Sequence, residues 1–223
     1  MTNYWGYLKY VFNHRRNMRK VCWSHGKILM GLLHDLDKYL PDEFIPYARY
    51  YYGDTSVNNK IKSSYNKAWG KHIKRTKHHW EKFVLSLKQF LNCQYVTETS
   101  IFEFQGTSVV LDMPYEAILE MIYDWEAMGM VFGDSAAEYY LKHYAEMFLS
   151  KRTRYVVETE LKLTSLYELE PMCECDKEYW MTLEELAIEL GEEEFRTSMH
   201  RLETKYNIPN LYEAVMGRKA EVS

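Results

Sequence analysis

Apolar positions recur at steps of three and four along most of this chain, the spacing that gathers side chains on one face of an α-helix. The pattern predicts a first helix from about Trp5 to Cys22 and a second, capped by Ser24, through about Tyr39. In the second, Ile28, Leu29, Leu32, Leu33 and Leu36 are dense enough to predict deep burial. Pro41, suited to a first-turn position, opens a shorter helix that ends near Gly53, and Asp54–Asn59 reads as a turn. The longest helical pattern runs from about Lys60 to Leu91, with Tyr65, Trp69, His72, Thr76, Trp80, Phe83 and Leu87 on one stripe.

The period then changes. Between Val96 and Asp112, alternation on either side of Gln105-Gly106 predicts a small β-hairpin inserted into a helical scaffold. Asp112 should cap a helix from Pro114 to Met128, and Asp134 or Ser135 another through about Leu149. A linker around Tyr167–Lys177 sets off a C-terminal piece with a capping box, Thr182 with Glu185, for a helix through Leu190. Gly191 breaks that helix, Glu193–Tyr206 is periodic again, and a final turn follows Pro209. The expected architecture is mainly α: a helical bundle over 1–155 with a β-hairpin insertion, and a small helical appendage over 156–223. Ala187 and Gly191 hint at a helix-turn-helix, but Glu192, Glu193 and Glu194 would repel DNA phosphates, so nucleic acid is not the expected partner.

At 223 residues and 47 % hydrophobic, with 20 Tyr, the chain can bury a core unaided by disulfides. Four scattered cysteines fit a reducing compartment, and no apolar run approaches the roughly 18 residues of a membrane span, so the expected location is the cytoplasm. Cys173-x-Cys175 is only half a zinc site. Net charge is −4, but residues 1–90 carry 17 Lys and Arg against 6 Asp and Glu, while residues 91–150 carry 1 against 10. Such asymmetry fits either attraction of an anionic ligand to the first part or ion pairing within the chain.

Candidate chemistry concentrates in that basic part. Five of the eight histidines, His14, His34, His72, His78 and His79, fall on predicted helices that can pack together, beside Asp35 and Asp124. Neighbours on a helix project about 100° apart, so His34 and Asp35 can both reach around one cation. Imidazole and carboxylate suit Mn, Fe, Zn or Ni, and such an ion activates water for attack on phosphorus. His72 and His79, seven apart, should share a helix face and hold a second metal or a phosphate. Lys38, one turn after His34, can neutralise phosphate oxygens, with Lys71, Lys74, Arg75 and Lys77 extending its field. Each part also has a plain reading: His78-His79-Trp80 as a packed aromatic edge, Asp124 as a cap, the basic run as a solvated face.

The order His … His-Asp-x-x-Lys … His-His … Asp resembles the HD superfamily of metal-dependent phosphohydrolases. More closely, His34-Asp35-Leu36-Asp37-Lys38, Pro41 through Tyr50, Ala68-Trp69, Lys77-His78-His79-Trp80, Met113-Pro114 and Asp124-Trp125 resemble an uncharacterised family of bacterial and phage proteins, over roughly residues 5–155. The HD resemblance implies His14, His34, Asp35 and Asp124 as metal ligands, His25 being the alternative to His14, and His72, His78 and His79 as neighbours of a second metal or phosphate. Asp37 stands where the close family has Ser, and Lys71 where it has His. The expectation is a phosphohydrolase that uses a divalent metal (Mn, Fe, Zn, Ni or Mg) on a nucleotide or related phosphate ester, with Asp35 and Lys38 catalytic. The alternatives are a silent nucleotide- or partner-binding protein with the same pocket, and a protein whose histidines merely pack.

Overall fold

The structure is a computed structural model that describes residues 1–53, 56–91, 102–163 and 191–222. It is mainly helical, with a small antiparallel sheet and a helical C-terminal part. The chain divides into two units, one of residues 1–82 with 123–133, the other of residues 83–122 with 134–223. Among the described residues no helix is long and apolar enough to cross a membrane.

In the first unit, helix α1 (Tyr4–Ser24) is opened by Asn3, whose Oδ1 accepts from the Gly6 N–H at 2.8 Å. Its buried residues Tyr7, Val11, His14, Met18 and Val21 follow at helical spacing, so a histidine sits within an apolar stripe. α3 (Pro41–Tyr52) and α4 (Asn59–Arg75, capped by Asn58) complete the core, where Tyr7 and Val11 meet Tyr47, Ala48 and Ala68. Tyrosine and tryptophan rings pack around that cluster, which accounts for much of the chain's aromatic content.

Two expectations fail here. The segment after Ser24 is not one helix through Tyr39: α2 covers only Ile28–Leu33, and after an extended His34 and a left-handed Asp35 the chain makes one 3₁₀ turn, Leu36–Tyr39. Nor are its leucines deep. Leu29 is 72 % and Leu33 63 % exposed, because α2 meets α1 through Gly31, where even a Cβ would stand 2.9 Å from Cys22 Cβ. The long helix also stops early, at Arg75. It is followed by a loop with His78 and His79, a 3₁₀ turn (Trp80–Phe83), strand β1 (Val84–Ser86) and a short helix α5 (Leu87–Leu91). Lys82 Nζ donates to the carbonyls of Lys74 at 3.0 Å and Thr76 at 2.6 Å, so a distant ammonium caps the helix end and folds the loop back onto it.

In the second unit the hairpin forms as β2 (Phe102–Gln105) and β3 (Ser108–Leu111), joined by Gly106-Thr107 with Gly106 at φ +56°. The sequence pattern missed β1, which pairs with β3 so that Val84 faces Val110 in a sheet of order β1-β3-β2. Helix α6 (Tyr115–Phe132) outruns the expected Met128, and its last residues belong to the first unit. α7 (Ala136–Lys142) ends well before Leu149, and α8 (Lys151–Glu160) starts from its own cap, Ser150. Buried Arg154 donates to Tyr140 Oη at 2.9 Å and to the Met147 carbonyl at 2.8 Å, while Tyr140 donates to Glu158 at 2.6 Å. α9 (Glu192–Tyr206) begins as expected, and the turn after Pro209 proves to be a helix, α10 (Leu211–Val222). Thr182–Leu190, the 167–177 linker and Cys173-x-Cys175 lie outside the described residues.

Ser135 closes a reciprocal capping box with Glu138 at the head of α7. Ser135→Ala should lower stability by about 1 kcal/mol, read from denaturant midpoints. An unchanged midpoint would mean that water replaces the cap.

Candidate metal centre

Every candidate residue expected from the sequence lies in the first unit. His14 projects from mid α1, His72 from the last turn of α4, Asp124 from α6, and His78 and His79 from the loop after α4. His34 and Asp35 occupy the break after α2, which lets consecutive side chains turn into one space. Arg15 fastens this break: its Nε donates to the His34 carbonyl at 2.8 Å and its Nη2 to the Leu32 carbonyl at 2.7 Å. Asp35 has φ +53°, a conformation that costs most residues energy but that Asp tolerates. Strained backbone at a cluster of chemical groups is a mark of functional sites.

Four atoms converge first. His14 Nε2 lies 3.0 Å from Asp124 Oδ1, 3.3 Å from His34 Nε2 and 3.7 Å from Asp35 Oδ2. His34 Nε2 stands 3.4 Å from Asp35 Oδ2 and 3.5 Å from Asp124 Oδ1. Ligands bound at about 2.0–2.2 Å to one ion stand about 3.0–3.5 Å apart, so these spacings suit the corners of a coordination shell. The chemistry of the set fits too: two imidazoles and two carboxylates suit a borderline divalent ion.

A second group adjoins through Asp35, whose Oδ1 lies 3.4 Å from His72 Nε2 and 3.6 Å from His78 Nε2. His72, His78 and His79 each bring a ring nitrogen within 4.8 Å of the others. Behind His72 stand two carboxylates: Nδ1 contacts Asp37 Oδ2 at 2.8 Å and Glu43 Oε2 at 3.2 Å. A carboxylate on one ring nitrogen fixes the tautomer and aims the other outward as a ligand. That other atom, His72 Nε2, and His79 Nε2 are buried and have no hydrogen-bond partner among the described residues. Orphaned buried nitrogens are costly, and a cation would satisfy both.

Charge in the cluster is balanced by Lys38, whose Nζ lies 2.7 Å from Asp35 Oδ2. Burial alone would lift the Asp35 carboxyl, but His34, Lys38, His78 and His72 hold it well below the usual range. Asp124 is likewise held down, against its burial, by His14 and His34. Burial would neutralise Lys38, yet Asp35 and Asp124 raise it so that it remains an ammonium. The His72 imidazole is raised, against burial, by its bonds to Asp37 and Glu43.

His79 goes the other way. Burial, followed by His78 and His72, pushes it down to about 2, so it stays neutral. The unfolded chain then binds that proton more readily than the fold does, and stability present above the ordinary value of 6.5 is lost as pH falls toward about 2. Metal-free protein should lose up to about 1.4 kcal/mol per pH unit below that value, and His79→Gln should flatten the slope. Denaturant midpoints between about pH 7 and 5, above the carboxylate range, test this; equal slopes for both proteins would remove His79 as the cause.

The structure thus gathers His14, His34, Asp35, Lys38, His72, His78, His79 and Asp124 around one buried space. His25 is not among them: it stacks on Tyr123 at 4.6 Å, which leaves His14 as the α1 histidine of the cluster. His72 and His79 meet without sharing a helix face, since the loop brings His79 back. Two of the four basic residues expected to extend the field of Lys38 are engaged elsewhere. Lys71 Nζ pairs with Asp42 at 2.9 Å, and Arg75 is engaged by Asp42 and Glu43. Asp37, Glu43 and Arg15 were missed as positioning residues; the available signal was Asp42-Glu43 at the head of one helix and His72 with Arg75, one turn apart, at the end of the next.

A family model described as "Family of unknown function (DUF5662)" matches residues 3–163. No curated protein and no solved structure matches the chain.

Proposed function

The chain belongs to this family of unknown function, DUF5662, and we propose that it is a metal-dependent phosphohydrolase acting on a nucleotide or related phosphate ester. One observation carries the reading: imidazole and carboxylate atoms from α1, the α2 break and α6 meet at 3.0–3.7 Å beside an ammonium. The order of these residues along the chain, which resembles the HD phosphohydrolases, supports it further. His14, His34, Asp35 and Asp124 would hold the ion, and His72, His78 and His79 a second ion or the phosphate. A bound divalent ion supplies Lewis acidity toward phosphoryl oxygens and water. Lys38 places positive charge where phosphate oxygens gain negative charge. Asp37 and Glu43 keep His72 aimed inward, and Arg15 holds the backbone that presents His34 and Asp35.

The test is metal content by mass spectrometry on purified protein, then a screen of phosphomonoesters and of linear and cyclic nucleotides with Mn, Fe, Zn, Ni or Mg added. Retained metal with turnover of at least one ester is expected; protein that binds no metal and turns over nothing ends the reading. A second reading, a silent binding protein, draws on the Lys38–Asp35 pair, because an ammonium at 2.7 Å already neutralises a carboxylate the ion would use. It predicts a phosphate compound retained unchanged.

A further inference from the structure

Lys38 is shared between the metal cluster and a cavity of about 440 Å³ in the same unit. That volume lies within the range of about 300–1,000 Å³ typical of small-molecule sites, which suits one small organic group and not a polymer. The walls are aromatic, with Tyr7, Tyr10, Tyr47, Tyr65 and Trp69 contributing, and Lys38 is the charged residue of the lining. Tyr51 and Phe132, 57 % and 68 % exposed, mark its solvent side.

Two features indicate a ligand. Tyr7 and Tyr47 are 1 % and 5 % exposed, and neither hydroxyl has a hydrogen-bond partner among the described residues. Natural proteins seldom leave such groups unsatisfied unless a ligand or water meets them. The rings of Tyr10 and Tyr47 lie within 23° and 18° of the plane of Tyr7, and Tyr65 stands at 70° to Tyr47. Aromatic walls take a planar ring by offset stacking or edge-to-face contact. A rounded quaternary ammonium group also binds aromatic faces, but it would give the two hydroxyls nothing to bond.

We propose that this cavity is the subsite for the organic group of the phosphate ester, and that the group carries a planar heteroaromatic ring with hydrogen-bonding edges, as a nucleobase does. The proposal rests on the reading of the adjoining cluster as a phosphate-ester site. With phosphorus at the cluster beside Lys38, a polar edge of the ring meets the Tyr7 and Tyr47 hydroxyls.

Calorimetric titration of the full chain with adenosine, uridine, ribose 5-phosphate and phosphocholine tests it. At least one nucleoside should bind saturably, although it lacks phosphate. Tyr7→Phe and Tyr47→Phe should each weaken that binding by up to about tenfold without lowering the unfolding temperature, since each removes only an unpartnered hydroxyl. Absence of binding by both nucleosides, binding indifferent to both substitutions, or phosphocholine binding more tightly than either nucleoside overturns the ring assignment. The two readings fail separately. If ribose 5-phosphate is hydrolysed as well as a nucleotide, and both variants are fully active, the cavity proposal falls and the phosphohydrolase stands. If nucleosides bind through the tyrosines but no ester is hydrolysed under any metal, the ring site stands and its assignment to a phosphate-ester substrate falls.

Discussion

Asp35→Asn should strip the centre of its metal and lower turnover by about a thousandfold or more, with the fold retained. Asp35 joins the two groups: Oδ2 faces His14 and His34, Oδ1 faces His72 and His78. Asparagine suits the test because it tolerates the left-handed backbone at φ +53°, whereas alanine would add conformational strain of about 1–2 kcal/mol. Lys38 keeps a second carboxylate nearby in Asp124, which limits the cost of losing the first. Asp42→Asn is the control, since Asp42 contacts only Lys71 and Arg75 among these groups. Metal by mass spectrometry, turnover and thermal unfolding are read on both variants. Full metal occupancy in Asp35→Asn would show that the converged carboxylate is not a ligand.

Much of this centre was legible in the sequence because the helices announce it. His14 interrupts an apolar stripe of Tyr7, Val11, Met18 and Val21, and a polar side chain on a buried face needs a partner. Asp124 sits among the buried Met121, Ile122 and Trp125 of α6 for the same reason. Periodicity failed where long-range contacts decide. The leucines after Ser24 have the density of a buried helix, yet contact through Gly31 and the anchoring of carbonyls by Arg15 turn them outward. Likewise the pattern runs unbroken from Lys60 toward Leu91, but Lys82 ends the helix at Arg75 by bonding carbonyls six and eight residues back.

Support for the cluster was harder to read than the cluster. Asp37 and Glu43 lie in different elements, and only packing of both the 3₁₀ turn and α3 against α4 brings the two carboxylates to His72 Nδ1. The tyrosine cavity was invisible for a related reason: nothing in the sequence separates Tyr7 and Tyr47 from ordinary core, and what does so in the fold is two buried hydroxyls without hydrogen-bond partners among the described residues.

Lys38→Met separates the enzyme from the silent binder, because the lysine acts in opposite directions on metal affinity and on turnover. Its ammonium lies 2.7 Å from Asp35 Oδ2 and so competes with any cation for that oxygen. Replacing it with an uncharged side chain of similar length should tighten metal binding several-fold. In metal-free protein the same change leaves a buried carboxylate with less positive charge around it, which is destabilising. Added Mn or Zn should therefore raise the unfolding temperature more in the variant than in the parent. Turnover should nonetheless fall by about a hundredfold or more, because the charge that meets the developing phosphate oxygens is gone. A variant that binds metal more tightly and hydrolyses more slowly fits a hydrolase in which Lys38 touches substrate. Tighter metal with unchanged turnover removes Lys38 from the reaction, and looser metal contradicts the competition at Asp35.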